Sequence, residues 1–508
     1  MPIPFRTIST AAAGIGLSGV GYYVYRNQAS PAKSNDTTIE HGPQEFYDSR
    51  PFKWLSPEEI NNRLRSKQLA NKVTLNRVRA VYTSQLPSNS PVEDHFSTYL
   101  VGSNGLFAGV YDGITNRKSV LQVANASLLP FVGHIGPLCS KLIQKQLPSY
   151  VARQLENKGD AQSVEGAIST AFEDLDQDIQ QRFYNLFPRN VQHLNEKDIQ
   201  DAVRKHADPA AADLIIKEAI HGSCACAVYL DGDDLYAANT GDSRVVIVRQ
   251  EEDGTWSGRR LVEEESPANP EWKAHMISQH PPDEAQNIVH RNRIFGLIAV
   301  GGSFGDIMYK VPRDYQIKVL PFIPYEAYST FARYHHRIVV NYRTPPYLSS
   351  KPLTSHHKLQ KGDKYVIIGT DGLWDELSWD NVRSESGDQV AAELISSWKS
   401  AQDKEANPAT HMIRESLLFD AVYKNVGKRV PVSDPTLEMS KRLTRQPSRR
   451  YRDDITVTVI ELKEEEDSGP ASFQDVGEVS PAEQVEILPR LVTPKQSNWY
   501  SGWLWSRL

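Results

Sequence analysis

Five carboxylate-bearing strings, scattered along the chain, are the residues that could do chemistry together. They are SPVEDH (Ser90–His95), LFAGVYDG (Leu106–Gly113), ANTGDSR (Ala238–Arg244), IIGTDGLWDE (Ile367–Glu376) and YRDDITVTVI (Tyr451–Ile460). Each sets a carboxylate at the edge of a β-like run. Strand ends are where side chains from distant strands can converge, and hard divalent cations take several oxygen ligands at once. The pattern points to a carboxylate-only cluster holding more than one cation. The plainer account, turn residues and caps, suffices for one such string but not for five.

Composition narrows the class. With 508 residues, 39% hydrophobic and 24% charged, the chain is long enough for a large core and reads as a soluble globular protein. A net charge of −6 argues against a general nucleic-acid binder, which needs basic surface to meet phosphates. Cys139, Cys224 and Cys226 cannot build a disulfide framework and read as core thiols. No His/Cys spacing for zinc occurs.

The two ends look like addresses. Residues 1–35 carry no acid, and residues 7–25, between Arg6 and Arg26, carry no charge. That composition suits a mitochondrial targeting signal, with a secretory signal as the runner-up, and the uncharged run, marginal in length for a bilayer, leaves open whether the signal is cleaved or stays as a single anchor at the inner membrane. The chain ends Ser506-Arg507-Leu508, a variant of the Ser-Lys-Leu peroxisomal address, so dual localisation through a peroxisomal import receptor is the companion expectation.

Between the ends, residues 36–77 read as a lead segment with a short helix N-capped by Ser56. Helical spacing predicts helices over Ser119–Val132, Ser140–Glu156, Ser163–Phe187, Pro209–Ile220, Asp388–Lys399 and Thr410–Val426. The stretch from Ser223 to Val248 predicts two strands about an Asp-Gly turn. A catalytic domain is expected over 78–463, followed by an acidic linker and tail over 464–508. Hairpin-linked strands with helices inserted as blocks predict an α+β fold, two packed antiparallel sheets flanked by helices.

Taken in chain order, ED, YDG, GDSR, TDGLWD and RDDIT resemble the PPM (type 2C) metal-dependent serine/threonine protein phosphatases. The strings SNSPVEDH, LDGDDLYAANTGDSR, EEDGTWS, RTPPYL and YRDDITVTVI carry a resemblance to that family's pyruvate dehydrogenase phosphatase branch. The resemblance implies a sandwich of two antiparallel sheets and a catalytic set of Asp112, Asp371 and Asp453. It implies that Asp112 bridges two Mg2+ or Mn2+ ions and that the Gly113 carbonyl binds one of them. Asp371 and Asp453 would complete the second ion's shell. Glu93 and Asp94 would act on the first through waters, and Asp242 and Asp375 would hold a weaker third ion. Paired ions lower the pKa of a shared water, and the hydroxide so formed attacks phosphorus in line. The implied substrate is a phosphoserine or phosphothreonine protein such as the pyruvate dehydrogenase complex.

Three positions depart from the family pattern. Ile114 stands where the family has a histidine that protonates the departing oxygen, and loss of a general acid costs about 10²–10⁴ in rate. Asn89 stands in the place of a phosphate-binding arginine, as in the pyruvate dehydrogenase phosphatase branch, and is the substrate-binding candidate. Gly302, in GGSFGD, replaces an arginine. The alternative to a working phosphatase is therefore a pseudophosphatase, binding a phosphoprotein without efficient turnover.

Overall fold

The computed structural model describes residues 51–73, 75–114, 136–159, 161–324, 335, 338–377, 386–401, 405–422, 432–464 and 485–491. In chain order the strands are β1 (Gln68–Lys72), β2 (Val78–Leu86), β3 (His95–Val101), β4 (Gly105–Tyr111), β5 (Gly113–Ile114), β6 (Gly222–Ser223), β7 (Ala225–Asp231), β8 (Asp234–Thr240), β9 (Arg244–Gln250), β10 (Trp256–Arg260), β11 (Val289–His290), β12 (Arg293–Ile294), β13 (Phe304–Gly305), β14 (Leu353–Lys358), β15 (Asp363–Gly369), β16 (Ile455–Leu462) and β17 (Val485–Ile487). A seven-stranded sheet runs β10-β9-β15-β16-β2-β1-β17, and a five-stranded sheet runs β14-β8-β7-β4-β3.

Side-chain alternation explains how the sheets stack. Along β15, Val366 and Ile368 enter a core shared with Leu106, Ala108 and Val110 of β4. Their neighbours Tyr365 and Ile367 face the other way, into a core built with the helices Gly387–Ala401 and Pro408–Val422. Along β4, Phe107 and Tyr111 likewise turn outward, toward the helices Leu138–Asn157 and Val164–Tyr184. Strands covered on both faces read as unbroken apolar runs, because a period of two then buries every side chain. The sandwich of two sheets between helical layers is the expected architecture.

The helix boundaries follow local chemistry. Ser56 accepts from Glu59 N while the Glu59 carboxylate accepts from Ser56 N, a capping box opening Pro57–Arg65. Asp208 caps Pro209–Ile220, which has the bounds that spacing predicts. Helices expected over Ser140–Glu156, Ser163–Phe187 and Asp388–Lys399 appear as Leu138–Asn157, Val164–Tyr184 and Gly387–Ala401. The one expected over Thr410–Val426 is Pro408–Val422, and the one over Ser119–Val132 lies outside the described residues.

Three features differ from the sequence reading. The stretch after Ser223 makes three strands, with Gly241–Ser243 carrying the chain from the five-stranded sheet to the seven-stranded one. The presumed lead segment is integral: β1 extends the large sheet beside β2, and Leu55 and Leu64 are fully buried. Part of the presumed tail returns, since β17 pairs parallel with β1, an exception to the antiparallel rule, and Leu100 N donates to Pro489 O at 3.0 Å. Residues 7–25 and Ser506–Leu508 lie outside the described residues; among those described, no helix is long and apolar enough to cross a membrane.

Candidate metal and phosphoryl centre

The site forms where the chain changes sheets. β2 ends at Leu86 in the large sheet and β3 begins at His95 in the small one; the crossing carries Asn89, Glu93 and Asp94. The second crossing, from Thr240 to Arg244, carries Asp242. Asp112 follows β4, Asp371 follows β15, and Asp453 and Asp454 precede β16. Register puts all of these at one end of the sandwich, because Ile455 pairs with Leu86, Gly369 with both Val457 and Arg244, and His95 with Tyr111.

Asp112, Asp242 and Asp371 meet there, with one carboxylate oxygen of each lying within 4.8 Å of the other two. Asp112 is buried, and its carbonyl accepts from Cys224 N at 2.9 Å, tying it to the start of β7. Asp94 is also buried, and its Oδ2 accepts from Thr370 Oγ1 at 2.8 Å. Thr370 in turn accepts from Thr456 N at 3.1 Å, so one hydroxyl joins the Asp94 crossing to the roots of Asp371 and Asp454. Gln85 Nε2 donates to both Asp94 O and Thr456 Oγ1, at 3.0 and 3.1 Å.

The electrostatics of this cluster suit a cation. Burial, then Asp371, Asp94 and Asp242, all push the Asp112 carboxyl well above the usual carboxylate range. Burial and then Asp454 push Asp94 the same way, against the hydrogen bonds from Thr370 and Thr456. Like charges this close disfavour ionisation unless a cation joins them. An all-oxygen donor set gathered from separate strand ends fits a hard divalent cation.

The other expected residues have distinct places. Glu93 is buried, with its N–H on Asp454 Oδ2 at 2.8 Å and its carbonyl accepting from Ser140 Oγ at 2.6 Å. Gly113 packs so tightly on Glu93 that an added Cβ would fall 2.8 Å from the Glu93 carbonyl oxygen. Ile114 pairs through its backbone with Gly222. Asp375 is exposed, one turn into the helix Asp371–Leu377. Asp453 stands outside the group of three: it accepts from Asp454 N at 2.8 Å and pairs with Arg449. Asn89 is buried, and its Nδ2 donates to Asp454 Oδ2 at 3.0 Å, so its amide holds the crossing loop.

Asp454 is one residue that sequence reasoning missed. Its carboxylate accepts from the backbone N–H groups of Ser88, Asn89 and Glu93, organising the whole first crossing. The signal was present in the doubled acid of RDDIT. Residue type alone does not say which of the two neighbouring acids ties the crossing loop.

The sequence profile of the family described as Protein phosphatase 2C matches residues 115–403, more than half of the chain. The chain is also similar to the mitochondrial pyruvate dehydrogenase (acetyl-transferring) phosphatase 1 of Bos taurus, at 27% identity, with 83% of this chain and 84% of the relative covered. Phosphatase 2 of Homo sapiens shares 26% identity over 81% of this chain and 84% of its own length. Phosphatase 1 of Saccharomyces cerevisiae shares 26% over 86% and 77%. The crystal structure of a serine-threonine phosphatase 2C from Toxoplasma gondii aligns with a TM-score of 0.41 and 14% identity, covering 78% of this chain and 99% of that one. The chain belongs to the protein phosphatase 2C family, the metal-dependent protein serine/threonine phosphatases.

Proposed function

We propose that Asp112, Asp242 and Asp371, joined by Asp94 and Asp453, hold Mg2+ or Mn2+ at the common end of the two sheets, and that the substrate is a phosphoserine or phosphothreonine of the mitochondrial pyruvate dehydrogenase complex. The observation that carries the site is the approach of three carboxylates from three separate strand ends to within 4.8 Å. In this reading two ions occupy the centre, and a weaker third would be held by Asp242 and Asp375, as the family resemblance implies. Bound cations would supply a water of lowered pKa and neutralise charge on the phosphoryl oxygens.

The chain's own residues do the rest. Burial and the nearby Asp454 raise the Asp94 carboxyl, the hydrogen bonds from Thr370 and Thr456 oppose that rise, and a bound cation would draw off the remaining proton. Asp454 fixes the loop 88–93 against β16, so Glu93 and Asp94 are held before any ligand arrives. Ile114 has no proton to give a departing serine oxygen, so that proton must come from solvent or another group. The substrate class is supported by the names of the relatives, which act on pyruvate dehydrogenase, and the mitochondrial location by the same names together with the acid-free first 35 residues.

Turnover of a phosphoserine peptide with and without Mn2+, beside Asp112→Asn, tests the chemistry. Cation-dependent turnover falling at least about 100-fold in the variant is expected. Phosphorylated pyruvate dehydrogenase should be preferred over an unrelated phosphoprotein, and imaging with either end masked reads the location. Ile114 favours one second reading, a phosphoprotein-binding protein without efficient turnover. An aryl phosphate, whose leaving group needs little protonation, separates the two: if it too survives intact with Mn2+ present, the enzyme reading fails.

A further inference from the structure

We propose that Glu265 is a positioning residue for Asp242, acting through the Gly241 peptide, and that position 302 is glycine because the Glu265 carboxyl occupies the space a side chain would need. The inference rests on reading Asp242 as a cation ligand.

The turn that carries Asp242 is squeezed from two sides. Gly241 has φ +110°, a conformation that favours glycine, and an added Cβ would lie 2.2 Å from Cys224 Sγ. Cys224 also places its thiol 3.5 Å from Asp242 Oδ1. On the other side stands Glu265. Its backbone N–H donates to Gly241 O at 2.8 Å, and its Oε2 accepts from Gly241 N at 3.3 Å. Both polar groups of the residue just before Asp242 are therefore tied to one glutamate. Asn239 Nδ2 adds a second donor to Gly241 O at 3.1 Å.

Glu265 is itself fixed. Its carbonyl accepts from Gly301 N at 2.6 Å, and its side chain is buried against Thr240. A Cβ built on Gly302 would lie 2.1 Å from Glu265 Oε2 and 2.4 Å from Thr240 Oγ1. Gly302 cannot retreat freely, since it bridges to Ser349 and Ser303 N donates to Ser349 O at 3.0 Å. The glycine, the glutamate and the metal-site turn form one interlocked unit. Burial raises the Glu265 carboxyl to about 8, so glutamine reproduces its shape and its mostly neutral state at pH 7.

Residues that orient a metal ligand typically change metal affinity about 10–100-fold when removed. The test is Mn2+ binding to the full chain by isothermal titration calorimetry, with circular dichroism and thermal melts in EDTA monitoring the fold. Glu265→Ala should weaken the site that Asp242→Asn weakens by about 10-fold or more, while Glu265→Gln stays near the parent. Gly302→Ala should reproduce the Glu265→Ala loss with Glu265 still present, which keeps the test open if Glu265→Ala misfolds. In the double variant Glu265→Ala/Asp242→Asn, the loss should not exceed that of Asp242→Asn alone.

Parent-like binding by both Glu265→Ala and Gly302→Ala overturns the proposal. So does a double variant that loses as much again as Glu265→Ala alone, because that is how a purely structural residue behaves. If Asp242→Asn leaves Mn2+ binding unchanged, the cation reading of Asp242 falls, and this proposal with it. Weakened binding in Asp242→Asn alone sinks only the role of Glu265.

Discussion

At the scale of single residues, the chain stores acids that gain from staying protonated until a cation arrives. Asp112 and Asp94 are raised well above their usual range by burial and by neighbouring carboxylates. Burial raises Asp306 to about 7 and Glu265 to about 8. A raised folded-state pKa means the folded chain keeps protons the unfolded chain has released, so stability falls as pH rises. His221, held neutral by burial with its pKa lowered to about 3, acts oppositely only below its unfolded value of about 6.5. From roughly pH 6.5 to 8.5 the carboxyls therefore dominate. The melting temperature in EDTA should drop across that window, the drop should shrink with Mn2+, and Asp112→Asn should melt higher than the parent in EDTA. A melting temperature that is flat or climbs with pH in EDTA contradicts this. Ile114 gives a second prediction. Ile114→His should raise turnover of phosphoserine peptide more than of aryl phosphate, by up to about 10² if proton donation limits the rate. The string His134-Ile135-Gly136 follows Gly113 after twenty intervening residues, so deleting Ile114–Gly133 gives Asp112-Gly113-His134 in sequence. That shortened chain should show the same selective gain, and equal ratios for both substrates in both variants would show that the missing imidazole is not limiting. Asp112, Asp242 and Asp371 were legible because each interrupts or ends an apolar run. Thr370, Gln85, Asp454 and Glu265 were not, because a polar residue beside a strand looks the same whether it meets water or a buried partner.

At the scale of elements, close backbone approach decides the geometry. The turn from β15 into the helix Asp371–Leu377 lies against the turn entering β16, and a Cβ on Gly372 would fall 1.9 Å from the Asp454 carbonyl oxygen. Gly372→Ala must separate these turns and with them Asp371 from Asp94 and Asp454. A cost of about 1–3 kcal/mol is expected from overpacking, with a larger fractional loss of activity than of stability. Asp454→Ala removes the acceptor for the N–H groups of Ser88, Asn89 and Glu93. Each buried donor left alone costs about 1–3 kcal/mol, so a total of at least about 3 kcal/mol is expected in urea unfolding, and Asp454→Asn, which keeps one acceptor, should lose less. Parent-like unfolding of Asp454→Ala would show that the loop 88–93 is held by other contacts. Helix ends were legible here: Asp208 and Ser56 are caps by residue type and spacing. The crossing at Gly241–Ser243 was not. An Asp-Gly turn correctly marked the β7–β8 hairpin, but the next turn has similar chemistry and changes sheets, and no periodicity distinguishes a strand that joins its neighbour's sheet from one that leaves it.

At the scale of the whole molecule, the site exists because two sheets end together, and their registry depends on segments far from it in sequence. The alternation of β4 and β15 made the two-layer core readable; the partners of the outer strands were not, because β1 and β17 are short, partly polar and separated by more than 400 residues. Pairing over that distance leaves no local trace. Its consequence is testable. Leu55, Ile60 and Leu64 enter the core beneath the large sheet with Met439 and Leu443, and Leu55 N donates to Ser440 Oγ at 3.0 Å. Arg65 pairs with Glu405, whose side chain is only 2% exposed and is also met by Arg414. A fragment spanning 78–463 loses those three apolar side chains, each worth about 1.5–3 kcal/mol, and exposes β2 as a new sheet edge. A loss on the order of 5 kcal/mol would consume much of the 5–15 kcal/mol that typically holds a domain together. The fragment spanning 51–491 should therefore unfold cooperatively with a clear urea midpoint and retain Mn2+-dependent phosphatase activity, while 78–463 unfolds at markedly lower urea or fails to stay soluble. Equal midpoints for the two fragments would mean that the N-terminal helix and β1 merely rest on a sandwich that stands without them.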